Sequence, residues 1–204
     1  MNNKTPIELA EPSNGAAAAI ATGEPYQLTI VIEGASDLLL HRWNCEAIAG
    51  KSSARKNSAA KRMDDLESYI YRTERGTLAI PGEYFRQAIL GAARFRPDPR
   101  SPRKSAADLC KAAIITLDPL CDTGKRSWDY EDKRRAVVQR SGINRTRPAL
   151  KAGWQVTASF LILLPEYLAE ADVHELLTAA GRLIGIGDFR PTFGRFFVRS
   201  IKRV

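Results

Sequence analysis

Apolar and polar side chains alternate along Tyr26–Glu33, and the β-branched content of that stretch fits a first strand. Gln155–Leu164 carries the strongest strand pattern in the chain, and Phe196–Ile201 predicts a closing strand. Two stretches repeat at helical spacing instead. From Gly82 to about Arg94 the apolar positions are Tyr84, Phe85, Ala88, Ile89, Ala92 and Ala93, which leaves Arg86 and Arg94 off the apolar face. Val173–Leu183 is the second amphipathic helix. Short strands are expected at Thr77–Ile80, Ala112–Leu117 and Ala136–Gln139. A charged helix is expected over Lys56–Arg72, with Met63, Leu66 and Ile70 on one side. Gly34–Asn44 reads as a loop, and Phe95–Lys104, with three prolines in ten residues, as an irregular basic loop.

With the charged helix set aside as an insertion, the order is β-α-β-β-(β)-α-β. That order predicts an α+β fold with a ferredoxin-like, RNA-recognition-type core: an antiparallel sheet, helices on one face, and the other face free. Residues 25–204 then form one domain with inserted basic arms over about 45–76 and 95–151, preceded by a flexible leader over 1–24. The chain has 204 residues, 44% of them apolar, which suffices for such a core. No apolar run is long enough to span a bilayer, so no membrane partner is expected. Cys45, Cys110 and Cys121 are odd in number and lack metal-ligand spacing, and His41 and His174 are too few to complete a zinc site with them. They fit thiols in a reducing cytoplasm, with no metal and no cofactor.

Charge sharpens the picture. The net +8 is unevenly spread: residues 1–85 hold 9 bases and 11 acids, and residues 86–151 hold 16 bases and 7 acids. Residues 152–181 hold 4 acids and no Lys or Arg, while residues 182–204 hold 6 bases against Asp188 alone. Basic charge confined to two regions points to a polyanion on one face. The motif that opens with the turn Ile80-Pro81-Gly82 carries Arg86 and Arg94 into the first of those regions, and the glycine-rich stretch Gly185–Phe196, with Arg190 and Arg195, lies in the second. Gly82, Gly185, Gly187 and Gly194 are candidates for a backbone phosphate loop, because glycine permits positive φ and leaves amides open to anions. Arg42, Arg86, Arg94, Arg140, Arg145, Arg147, Lys151, Arg190 and Arg195 are the candidate phosphate ligands. Trp43 and Trp128 are stacking candidates, whereas Trp154, opening the strongest strand, reads as core.

The segment Ile80-Pro81-Gly82 with Arg86, Ile89 or Leu90, and Arg94 resembles the start of the first helix in the RAMP superfamily of CRISPR-associated proteins. The segment Gly185-Ile186-Gly187-Asp188-Phe189-Arg190-Pro191-Thr192-Phe193-Gly194-Arg195-Phe196 is similar to that superfamily's glycine-rich loop. The resemblance implies an RNA-recognition-type fold. It also implies a subunit that binds single-stranded guide RNA in repeated copies beside other effector subunits, in a host- or virus-borne setting. Guide-processing relatives use a histidine near the end of the first strand, so His41, with Arg42 and Tyr84, is the alternative catalytic candidate for metal-independent RNA cleavage. Asp37 is a lone acid in the same loop and a second candidate. A viral protein that contacts a host defence complex instead of RNA is the third reading.

Overall fold

The computed structural model describes residues 23–45, 49, 50, 53, 55, 65–138 and 141–204, with side chains left out at 136–138 and 141–143. Strand β1 (Tyr26–Gly34) buries alternate residues, with Tyr26, Leu28, Ile30 and Ile32 inward. It pairs antiparallel with β11 (Gln155–Ile162) on one side and with β12 (Phe196–Arg203) on the other. Strand β7 (Ile114–Thr116) extends the sheet beyond β11, giving the order β12-β1-β11-β7. Helices α1 (Gly82–Ala93) and α3 (Glu170–Leu183) pack on the buried face and on each other. Running β1-α1-β7-β11-α3-β12 through that strand order gives the ferredoxin-like α+β arrangement, with the opposite sheet face open.

Alternation dictates which face is core. On β11, Val156, Ala158, Phe160 and Ile162 are buried between Gln155, Thr157, Ser159 and Leu161. Phe85 of α1 meets Phe196 of β12 edge to face at 5.7 Å. Trp154 is core as expected. Its indole N–H donates to the Ser36 carbonyl at 3.0 Å, and its ring lies against Gly34, where any Cβ would overlap it.

The remaining elements fall between the core strands. Strand β2 (Leu38–Leu39) pairs with β10 (Ser141–Leu150), which pairs with β9 (Tyr130–Val138). Strand β3 (Tyr71–Arg72) pairs with β4 (Leu78–Pro81), and β4 with β8 (Leu120–Asp122). Three sequence expectations are corrected. The prolines of 95–104 do not prevent pairing: β5 (Pro97–Asp98) and β6 (Ser101–Ser105) form a two-stranded ribbon, whose outer edges need no proline N–H. Residues 107–113 form a short helix, α2 (Ala107–Ala113), ahead of β7. The helix expected over Lys56–Arg72 lies largely outside the described residues, and its C-terminal part is a 3-10 turn (Glu67–Tyr69) followed by β3.

Candidate nucleic-acid interface

The glycine-rich loop links α3 to β12 and is bent by three glycines at positive φ: Gly185 (70°), Gly187 (74°) and Gly194 (72°). Its amides are mostly consumed internally. The N–H of Gly185 donates to Ala180 O at 2.9 Å, that of Asp188 to Leu39 O at 3.1 Å, and that of Gly194 to Asp37 O at 2.7 Å. Gly82 is buried at the start of α1, and its N–H reaches Pro119 O at 3.3 Å. At Gly82, Gly185 and Gly194 the expected phosphate cradle is therefore a set of packing and turn positions. Gly187 lines a cavity beside His41, Tyr84, Gln87, Asp188 and Arg190.

That cavity, about 300 Å³, continues into a wider groove of about 580 Å³ lined by Gln87, Leu90, Gly91, Arg94, Phe95, Leu183, Ile184, Arg190 and Pro191. Gln87 and Arg190 border both, so the two form one trench. Its wall is the α1 face carrying Tyr84, Gln87, Gly91 and Arg94, which recur at helical spacing. Arg94 and Arg190 are exposed and have no acidic partner among the described residues. Arg86 lies elsewhere. Eight residues from Arg94 is about 80° of helical rotation, and its guanidinium binds Ile114 O at 2.6 Å, Lys111 O at 2.7 Å and Glu83 at 3.0 Å. It fastens α1 to α2 and β7.

One end of the trench is held by a charged chain of contacts. His41 Nδ1 lies 3.3 Å from Asp188 Oδ2, and its Nε2 lies 3.3 Å from an Arg145 N–H nitrogen. Arg147, 3% exposed, donates to the same Asp188 oxygen at 2.5 Å. The His41 hydrogen bond and the Arg147 charge hold the Asp188 carboxyl well below the usual carboxylate range. The ring of Phe189, at φ 55°, lies 4.7 Å from the Arg147 guanidinium and 5.2 Å from that of Arg134, which also lies 4.4 Å from Phe193. These contacts clasp the β9–β10 hairpin onto the glycine loop. Arg147 is thus a buried structural cation, although the sequence marked it as a phosphate ligand.

The other candidates scatter. Arg42 is exposed and stacks over Tyr71 at 4.8 Å, beside the His41 end. Arg195 is exposed, with its backbone tied to Ser36. Lys151 is exposed, and its amide donates to Asp129. Arg140 lies outside the described residues. Trp43 is 74% exposed, whereas Trp128 packs against the core. Asp37 is occupied by the Tyr130 hydroxyl at 2.6 Å and the Ala152 amide at 2.8 Å. Burial pushes the Tyr84 hydroxyl up to about 12, so it stays protonated at neutral pH. The sequence reading missed Gln87 and Phe95. The helical period that placed Arg94 on a face could have found Gln87 on the same face, two turns away.

The fold is shared with a chain in the cryo-EM structure of the Type III-B Cmr-beta bound to cognate target RNA. The match has a TM-score of 0.54 and 7% identity, and it covers 89% of this chain and 61% of that one. The chain therefore spans about three-fifths of the length of the chain it matches. At that identity the likeness is one of fold. No protein-family model matches the sequence, and no curated protein does. Among the described residues, no cluster of His, Cys, Asp and Glu could hold a metal ion, and no helix is long and apolar enough to cross a membrane.

Proposed function

We propose that the protein binds single-stranded RNA along the trench between α1 and the glycine loop, as a guide-binding subunit of a CRISPR-type ribonucleoprotein that assembles in several copies along the strand. The observation that carries the reading is the trench itself. Its two parts share Gln87 and Arg190, it is walled by a helix and a loop of a ferredoxin-like core, and it is flanked by Arg94 and Arg190, which no carboxylate among the described residues neutralises. The likeness to a chain of an RNA-bound Cmr-beta supports it. Arg42 and Arg145 extend the cationic surface at the His41 end, and the net +8 favours a polyanion. Phosphate contacts of this kind hold the strand without reading its sequence.

Both imidazole nitrogens of His41 face protein groups, one carboxylate and one guanidinium, so its role in this reading is to position Asp188 and Arg145. Filter binding of labelled single-stranded RNA across a salt series, with EDTA present, tests the proposal. Each phosphate contact contributes about −0.7 to the log–log slope. The expected result is intact, retained RNA and a slope of at least two contacts. Cleavage of the RNA in EDTA, or a shallower slope, contradicts it.

A further inference from the structure

The two ends of the trench are lined by different side chains. Near His41 it is polar, with Gln87, Asp188 and Arg190 in its lining. Beyond Gln87 the lining brings Leu90, Leu183, Ile184 and Pro191 together beside Arg94 and Arg190, closed by Phe95. Phe95 is 74% exposed and Leu183 is 43% exposed, whereas most other large apolar side chains among the described residues are buried. Phe95 follows the last turn of α1, where its N–H donates to Ala92 O at 3.0 Å, so its backbone is held to the helix end while its ring stays exposed. Arg94 and Arg190 both border this apolar shelf.

We infer that the Phe95–Leu183 shelf is a nucleobase subsite, in which one unstacked base of a bound single strand lies on the Phe95 ring while Arg94 and Arg190 grip the flanking phosphates. The inference rests on the RNA-binding reading of the trench. An aromatic face beside two guanidinium groups with no acidic partner among the described residues suits a nucleotide, which joins a flat apolar surface to an anionic backbone. An apolar peptide would leave both guanidinium groups unmatched. A groove of about 580 Å³ has room for a nucleotide, and its open side lets the strand pass through. Every base offers a π-face, so the subsite tolerates any sequence. The base at Phe95 is turned off the stack, and its neighbours run toward Gln87 and His41.

The test uses the full chain and a single-stranded pyrimidine RNA carrying one 2-aminopurine, read by anisotropy and by 2-aminopurine emission. Wild-type protein is expected to bind and to change the emission of the probe. Phe95→Ala should weaken binding on the order of tenfold and abolish the emission change, with the salt slope unaltered. Phe95→Trp should restore both. Arg94→Ala and Arg190→Ala should each make the slope shallower by about 0.7. Phe95 is exposed, so these variants keep the fold, which circular dichroism checks. If wild-type protein binds RNA but Phe95→Ala changes neither affinity nor emission, the shelf is not a base site and fits a protein partner instead. If wild-type protein leaves the RNA unbound, the reading of the trench falls and the subsite falls with it.

Discussion

Asp188 is the residue on which the candidate interface turns. Its Oδ2 takes the Arg147 N–H at 2.5 Å and lies 3.3 Å from His41, while its Oδ1 takes the Phe189 amide at 3.0 Å. Replacing it with Asn leaves the Arg147 guanidinium buried without its anion, and one Arg147 nitrogen is already buried without a partner. Removing one member of a buried ion pair costs about 3–5 kcal/mol. Because the Asp188 side chain is 31% exposed, the lower end of that range is expected for Asp188→Asn in urea unfolding. The pH dependence has a definite sign. The folded-state pKa of Asp188 is depressed, so its stabilisation is complete above the ordinary carboxylate range and declines as pH falls below about 4. Asp98, lowered to about 2 chiefly by its hydrogen bond from Arg100, adds a loss over the same acid window. An acid titration of the unfolding midpoint should therefore be flat near neutrality and steepen below about pH 4, less so in Asp188→Asn. Among the cysteines, burial pushes Cys110 up to about 11 and Cys121 up to about 12, while Cys45 is exposed. Ellman's reagent should titrate one thiol rapidly in native protein and all three in denaturant. Two fast thiols would contradict the packing around α2 and β8.

At the scale of elements, glycines separate turns that merely need positive φ from turns that also need space. Gly76 sits at φ 77° with open space where a Cβ would stand, so Gly76→Ala should cost about 1–2 kcal/mol from backbone strain alone. Gly194 has nearly the same φ, 72°, but its Cβ would overlap the carbonyl of Ile186, whose N–H closes the loop onto Gly194 O. Gly194→Ala should therefore cost clearly more than Gly76→Ala, and it should weaken RNA binding by displacing Arg190. Equal costs for the two substitutions would mean that the loop relaxes freely. The same contrast explains what the sequence made legible. Strands β1, β11 and β12 and helices α1 and α3 each run for eight or more residues with one face turned to the core, so their periods are visible. Helix α2 spans 7 residues, about two turns' worth of signal, and its alanines are as suited to a strand end. In β9 and β10 the charges of Asp132, Lys133, Arg134 and Arg145 hide the alternation, because these strands form a hairpin clasped by ion pairs and aromatic rings. The glycine loop was legible as a turn. Its buried Arg147–Asp188 pair was not, because a sequence records charge without showing which charges face each other across 41 positions.

For the whole molecule, the question is how copies would meet along a strand. On charge alone, the basic segment 95–104 of one copy complements the acidic region 166–175 of the next. Within one chain those regions already meet: Arg96 bonds to Asp172 and lies 3.3 Å from Glu175, and Arg100 stacks over Tyr167 at 5.8 Å. That pairing ties the β5–β6 ribbon to α3, so it is a stabilising contact within the subunit. Asp172→Asn with Glu175→Gln should lower the melting temperature and leave assembly on RNA intact. In the proposed array, assembly would follow from electrostatics. Subunits at net +8 repel one another, and a strand that neutralises them removes the barrier to their contact. Repeated head-to-tail contact without closure produces an open array whose length the strand sets. Light scattering with single-stranded RNAs of increasing length should show mass rising in steps of one 22.6 kDa subunit, and a monomer without RNA. The double variant should climb the same steps. If wild-type protein stays at one copy per RNA at every length, it binds as a lone subunit. If only the double variant stops growing, the ribbon and α3 serve the neighbour after all.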